Sequence, residues 1–276
     1  MEFISAIEPA TELSDNDLLF VIQGKKILVE TGESGIQIPL FKRIKSRVIS
    51  EHLHYLGSLG SQHCYAQAMQ SETIDCDQLQ LLELRSLFDS LPENLFWIAA
   101  RAMHIIQWDL ASGYCSVCGS VTTRKTDERA KVCLACGQLF YPHISPAIIV
   151  AILRDRELLL VNHVRSPEHL YTLVAGFVEP GETLEECVIR EAQEEVGIVV
   201  GNIRYFGSQP WAFSNSLMIG FIADYKGGDL QLQKSEIRDA NWYFADNLPH
   251  VTGSYDTRGQ CSIAWHLISW YRSAYG

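Results

Sequence analysis

Hydrophobic positions along this chain gather into short runs separated by glycine or charge, with a few longer stretches at helical spacing. Residues 18–23 and 26–30 are apolar runs around a Gly24-Lys25 turn and predict a hairpin. Residues 79–85 and 95–106 carry apolar side chains at helical intervals and predict helices. Residues 145–153 form an apolar run of strand length, and the charged turn Arg154-Asp155-Arg156-Glu157 leads into a second run at 158–164. Further strands are expected at 171–175 and 217–225, and a closing amphipathic helix at 262–275. With one more helix, described next, this pattern predicts an α/β/α sandwich around a mixed sheet in an α+β protein.

The central helix is marked by its ends. Thr183 with Glu186 three residues later reads as a capping box, so the helix should start at Leu184. Gly197 fits the position just past its end. Gly176 and Gly181 should bracket a loop that can approach a ligand closely, since neither has a Cβ. Glu191, Glu194 and Glu195 stand at i, i+3 and i+4 and share one face. Like charges stacked this way repel, and a hard divalent cation such as Mg²⁺ or Mn²⁺ would turn that repulsion into attraction. Seven glutamates and one arginine lie between Gly176 and Ile198, too few cations for an ordinary solvated helix face. Arg190 is expected to pair with a carboxylate of this stretch, Glu182 for example, and so hold the loop on the helix.

The stretch resembles the Nudix box, matching it at Gly176, Glu182, Arg190, Glu191, Glu194, Glu195, Gly197 and Ile198. Ala192 stands where a bulkier aliphatic residue is usual. The resemblance implies hydrolysis of a diphosphate linked to another group and says little about which group.

A separate signal lies upstream. Cys115-Ser-Val-Cys118 and Cys133-Leu-Ala-Cys136 are two C-x-x-C knuckles with 14 residues between them, each followed by a glycine, Gly119 and Gly137. Four thiolates at this spacing read as a closed, structural Zn²⁺ site, with redox pairs or disulfides as the competing readings. Cys64, Cys76, Cys187 and Cys261 show no ligand spacing, and Cys187 reads as a buried small apolar residue. His52 and His54 read as satisfied structural groups.

Length, 276 residues, and a 47% hydrophobic composition suit about two globular domains. A net charge of −11 argues against a broad nucleic-acid-binding surface, though not against a nucleic-acid end as substrate. No secretory signal and no membrane-length apolar run is read, so a cytoplasmic protein with reduced thiols is expected. The organisation expected is an N-terminal α+β domain at 1–111, a ribbon at 112–141 and a catalytic domain at 142–276.

Beyond the box, Ser208-Gln-Pro-Trp-Ala-Phe-Ser-Asn-Ser216 is an aromatic-rich stretch read as a loop. Trp211 and Phe213 offer flat faces for rings, and Gln209 and Asn215 offer amide hydrogen bonds. An ordinary connecting loop with a buried tryptophan is the alternative. Placed after the box, the stretch resembles the array of the NADH pyrophosphatases, the Nudix hydrolases that carry a zinc ribbon. The resemblance extends to residues 141–150 and to Asn241-Trp242-Tyr243, and covers about residue 95 to the C-terminus. Ala212 and Ser214 replace two usual prolines, and His143 stands where arginine is common.

The resemblance implies residue roles. Glu191, Glu194, Glu195 and Glu236, with the Ala175 carbonyl, would hold Mg²⁺ or Mn²⁺. Glu195 would deprotonate the attacking water, with Glu191, Glu194 and Arg190 completing the catalytic set. Tyr141, Phe177 and Trp211 would line a dinucleotide pocket, with Gln209, Pro210, Ala212, Phe213, Ser214, Asn215 and Ser216 as its wall. Glu128 and Ala264 also match substrate-contact positions. The expected reaction converts NADH to reduced nicotinamide mononucleotide and AMP, with NAD⁺ poorer and NAD-capped RNA 5′ ends as further substrates, on a homodimer. Rival readings are a Nudix hydrolase of ADP-ribose or a diadenosine polyphosphate, and a non-enzymatic binding module built on the ribbon.

Overall fold

The computed structural model describes residues 2–9, 12–33, 35–49, 52–69, 78–253 and 260–276, and the chain divides into two compact units, Met1–His143 and Ile144–Gly276. Cys76 lies outside the described residues. Among those described, no helix is long and apolar enough to cross a membrane.

The first unit begins with β1 (Phe3–Ser5), β2 (Leu18–Gln23), β3 (Lys26–Gly32), β4 (Gly35–Gln37) and a single turn of helix, α1 (Phe41–Ile44). It continues with β5 (His54–Leu59), β6 (Gln62–Ala68), β7 (Leu79–Glu83) and the long α2 (Glu93–Ala111). The strands form one sheet in the order β1-β5-β6-β2-β3-β4, with β7 on β3. The expected β2–β3 hairpin and α2 are both present.

The expected helix at 79–85 is not. Leu79–Glu83 pairs antiparallel with β3, and only Leu84–Leu87 coils, as a 3-10 turn. Leu79 and Leu81, two apart and so on one side of a strand, both pack on the cluster around Leu28 and Tyr65. The free edge of an apolar strand outweighed the helical spacing of a short leucine-rich run.

The ribbon follows as β8 (Thr122–Arg124), β9 (Lys131–Cys133) and β10 (Leu139–Phe140), ordered β10-β9-β8. An ion cluster ties it to α2. Asp109, on the last turn of α2, accepts from Arg124 Nε and Nη2 at 3.1 and 2.8 Å and lies 2.9 Å from Lys131 Nζ. His54 Nε2 approaches the same carboxylate at 3.3 Å, consistent with a structural role for this histidine.

The second unit contains β11 (Ser145–Arg154), β12 (Glu157–His163), β13 (Val174–Phe177), α3 (Leu184–Val196), β14 (Val199–Trp211), β15 (Ser216–Gly227), β16 (Ile237–Phe244) and α4 (Ile263–Tyr275). Its sheet is mixed: β11 runs parallel to β15, and the other pairs are antiparallel, in the order β14-β15-β11-β12-β16 with β13 on β11. The apolar run of β11 is explained by burial on both faces. Ile148, Val150 and Ile152 pack with Val188, Ala192 and Val196 of α3, whereas Ile149, Ala151 and Leu153 pack with Leu267, Ile268 and Tyr271 of α4. This is the α/β/α sandwich. Ala192 is fully buried, so the small residue in the box fits a close helix–sheet contact.

Two boundaries differ from expectation. The strand expected at 171–175 is regular only from Val174, and it carries the box glycine with it: Gly176 pairs with Ile148. The stretch 208–216 is not an open loop. Ser208–Trp211 complete β14, Ala212–Ser214 make one 3-10 turn, Asn215 takes the left-handed conformation at φ 53°, and Ser216 opens β15. The ladder with β15 (Ser208↔Ile219 to Trp211↔Ser216) carries the strand to the hairpin tip.

Candidate active site

The acidic helix is built as its caps foretell. Thr183 Oγ1 accepts from Glu186 N at 3.2 Å, and Thr183 N donates to Glu186 Oε2 at 2.8 Å, closing the capping box. At the other end Gly197 adopts φ 76° and its N–H reaches the carbonyls of Ala192 and Gln193.

Arg190 organises the face between these caps. It donates to Glu182 Oε1 and Oε2 at 2.7 and 2.9 Å, a fork-to-fork pair, and to Glu191 Oε1 and Glu194 Oε2 at 2.8 and 3.1 Å. Its Nη2 also donates to the Phe177 carbonyl at 2.9 Å. One guanidinium thus fastens the 177–182 segment to the helix, and hydrogen bonding to Arg190, outweighing burial, holds the Glu182 carboxyl down at about 2.

Glu195 has no such partner. It is 2% exposed, and its Oε2 is buried without a hydrogen-bond partner. Burial, then the charges of Glu191, Glu236 and Glu194, push its carboxyl up to about 8. Burial also raises Glu191, against the pull of Arg190. Glu191 and Glu195 are buried, whereas Glu194 and Glu236 are exposed. Glu236 arrives from another element: the chain after β15 is stitched to the box helix by Gln231 N to the Val196 carbonyl and Gln233 N to the Glu195 carbonyl, at 2.9 and 3.0 Å. Ala175 lies on β13, beside Gly176. An orphaned buried carboxylate oxygen among three more carboxylates suits a hard divalent cation, which would supply the missing positive charge.

In the first unit the four expected zinc ligands converge. The Sγ atoms of Cys115, Cys118, Cys133 and Cys136 all lie within 4.8 Å of one another, with Cys115–Cys136 and Cys118–Cys133 at 3.5 Å. Tetrahedral Zn²⁺ at about 2.3 Å from each sulfur sets them about 3.8 Å apart, whereas a disulfide needs about 2.05 Å. The knuckles repeat one another: Gly119 and Gly137, at φ 75° and 77°, donate to the carbonyls of Cys115 and Cys133. The site is closed and structural.

The residues expected to contact substrate are placed as follows. Trp211 and Phe213 meet edge to face, with ring centroids 5.0 Å apart. Phe177 is exposed beside the box. The Gln209 amide is already committed, donating to the Cys261 carbonyl at 2.7 Å and accepting from Ile263 N at 2.8 Å, so it pins the start of α4, where Ala264 is buried. Pro210 and Ala212 flank Trp211; Ser214 and Ser216 hydroxyls lie 3.0 Å apart, and the buried Asn215 Oδ1 has no hydrogen-bond partner. In the first unit, Tyr141 donates to Glu128 at 3.1 Å, and Lys125 Nζ lies 2.5 Å from the other oxygen of that carboxylate. The sequence signalled neither Lys125 nor the contact between Gly176 and Glu191, in which the Glu191 carboxylate occupies the space of the missing Cβ.

Three family models match in series: an NADH pyrophosphatase-like rudimentary NUDIX domain over 16–108, an NADH pyrophosphatase zinc ribbon domain over 111–141 and a NUDIX domain over 143–259. The NAD-capped RNA hydrolase NudC of Vibrio vulnificus (strain CMCP6) is 40% identical over 84% of this chain and 85% of its own. That of Haemophilus influenzae (strain PittEE) is 49% identical over 64% of this chain and 68% of its own. A crystal structure of a Nudix hydrolase from Nitrosomonas europaea is similar at 19% identity and a TM-score of 0.48, covering 58% of this chain and 90% of that one. The chain belongs to the zinc-ribbon NADH pyrophosphatase family of Nudix hydrolases.

Proposed function

We propose that this hydrolase cleaves the diphosphate of NAD(H), giving nicotinamide mononucleotide (reduced, from NADH) and AMP, and that it also removes NAD caps from RNA 5′ ends. The observation that carries the reading is the buried, unpartnered Glu195 oxygen among Glu191, Glu194 and Glu236. Similarity to proteins named NAD-capped RNA hydrolase supports the choice of substrate. Domains at 1–111, 112–141 and 142–276, a homodimer and a cytoplasmic location complete the proposal.

A divalent cation, Mg²⁺ or Mn²⁺, held by Glu191, Glu194, Glu195, Glu236 and the Ala175 carbonyl would screen the diphosphate charge and make a bound water more acidic. Glu195 takes the proton from the attacking water. The water oxygen bonds to one phosphorus, the bridging P–O bond breaks, and the departing phosphate keeps the electron pair. Arg190 holds the 177–182 segment in place and stays charged throughout. Phe177 and Trp211 stack against the rings, the Gln209–Ser216 segment walls the pocket and Ala264 adds a contact; Tyr141 and Glu128, of the first unit, are further substrate-contact candidates by resemblance alone.

The test is a substrate panel. Purified protein with Mn²⁺ is offered NADH, NAD⁺, ADP-ribose, a diadenosine polyphosphate and an NAD-capped transcript, and AMP or 5′-monophosphate RNA is quantified. NADH and the capped transcript should give the highest kcat/KM. A preference for ADP-ribose would reject the specificity, and a protein inert on every substrate would reject the enzymatic reading.

A further inference from the structure

Glu236 is the one acidic member of the cluster that does not come from the box helix, so something must hold it there. It sits at the entrance to β16, where the ladder with β12 is irregular: Asn162 pairs with Asp239, but His163 pairs with Ile237. An irregularity of this kind re-aims the side chains beside it. Its backbone is held from two sides. Glu236 N donates to the Gln233 carbonyl at 2.9 Å, and Gln233 is itself bonded to the Glu195 carbonyl. On the other side, Val164 N donates to the Glu236 carbonyl at 2.7 Å.

Val164 is in turn held by Arg238. The Arg238 guanidinium donates from Nη2 to the Val164 carbonyl at 2.7 Å, and from Nη1 to the Ser166 carbonyl at 3.2 Å and Asn162 Oδ1 at 2.5 Å. Asn162 is fully buried and completes the brace, its Nδ2 donating to the carbonyls of Pro167 and Leu170 at 3.0 and 2.7 Å. Arg238 and Asn162 together hold four carbonyls of the segment between β12 and β13. These are neutral acceptors, so the arginine acts on the acidic cluster through geometry. Left unpaired, the carbonyls and the buried Asn162 oxygen would each lose a hydrogen bond that a charged donor makes strong.

We infer that Arg238 is a positioning residue: by fixing the Val164 backbone, together with Asn162, it holds Glu236 at the height at which its carboxylate joins Glu191 and Glu195 around a divalent cation. The inference rests on the acidic-cluster reading given under the proposed function. It assigns the chain its own device for aligning the one carboxylate ligand that the box does not supply. Partners that orient a ligand from behind typically change metal affinity by about 10-fold or more.

The test measures Mn²⁺ binding to the zinc-loaded protein without nucleotide, by loss of the free-ion electron paramagnetic resonance signal. Wild type, Glu195→Gln, Arg238→Met and Arg238→Lys are compared. Arg238 is exposed, so its truncation opens no cavity. Arg238→Met should bind Mn²⁺ about 10-fold more weakly. Arg238→Lys, which keeps the charge without the fork, should fall between it and wild type. Saturating Mn²⁺ should return kcat on NADH to near the wild-type value, which loss of folded protein would not allow. Wild-type Mn²⁺ affinity in both Arg238 variants, with weakened binding in Glu195→Gln, would overturn the positioning role and leave the cluster reading intact. Wild-type protein that binds no Mn²⁺, or binds it no better than Glu195→Gln, would overturn the cluster reading and this inference with it.

Discussion

The Glu191 carboxylate lies where Gly176 lacks a side chain: a Cβ built on Gly176 would fall 1.8 Å from Glu191 Oε1 and 2.0 Å from its Cδ. The first glycine of the box is therefore a steric condition on one of its proposed ligands. It sits on β13, opposite Ile148, in extended backbone where any residue could be accommodated by conformation alone. What excludes a side chain is the neighbour. Gly176→Ala should leave the sheet intact and expel the Glu191 carboxylate, together with its bond to Arg190. Misplacement on this scale costs about 100-fold in rate. Circular dichroism and kcat on NADH with Mn²⁺ check it: a folded variant with near-wild-type kcat would show that the carboxylate can move without consequence.

Asp109 gives a stability prediction. Burial alone would raise its carboxyl, but the nearby His54 and the hydrogen bonds and ion pairs with Arg124 and Lys131 outweigh burial and hold it well below the usual range. A carboxyl depressed by folding adds stability above its unfolded value, near 4, and loses that contribution as the pH falls through this region and below. Asp109→Asn leaves Arg124 and Lys131 facing a neutral amide and should cost about 3 kcal/mol at pH 7. Urea unfolding at pH 7 and near pH 3 checks both points, since the gap between wild type and variant should narrow in acid. A gap that is constant or wider in acid would contradict the assignment.

Zinc should be structural. Wild type should carry one zinc per chain by elemental analysis, and Cys136→Ser markedly less. Thermal unfolding should fall by about 5 °C or more, because a closed thiolate site contributes directly to folding. Mn²⁺ binding at the carboxylates should be unchanged. A zinc-depleted variant with wild-type thermal stability would contradict a structural role.

Much of this was legible in the sequence, for physical reasons. A cation needs its ligands at fixed intervals, so Glu191, Glu194 and Glu195 and the paired cysteine knuckles stand out against any background. The caps Thr183, Glu186 and Gly197 are local chemistry. The run of β11 announces burial on both faces. What was hidden depends on contacts distant in sequence. Leu79–Glu83 became a strand because β3 offered a free edge. The 208–216 stretch became the end of a hairpin because β15 offered partners up to Ser216. The Gly176–Glu191 contact, the three partners of Asp109 and the brace of Arg238 join residues that no local pattern connects.

The acidic cluster around the buried Glu195, with Glu195 as base, is proposed to make a phosphoanhydride cleavable by water. The most direct test of this proposal is the rate of AMP release from NADH in Mn²⁺ by wild type and by Glu195→Gln. Wild type should release equal amounts of AMP and reduced nicotinamide mononucleotide, and the variant should be slower by about 100-fold or more. Release of AMP by Glu195→Gln at the wild-type rate would contradict it.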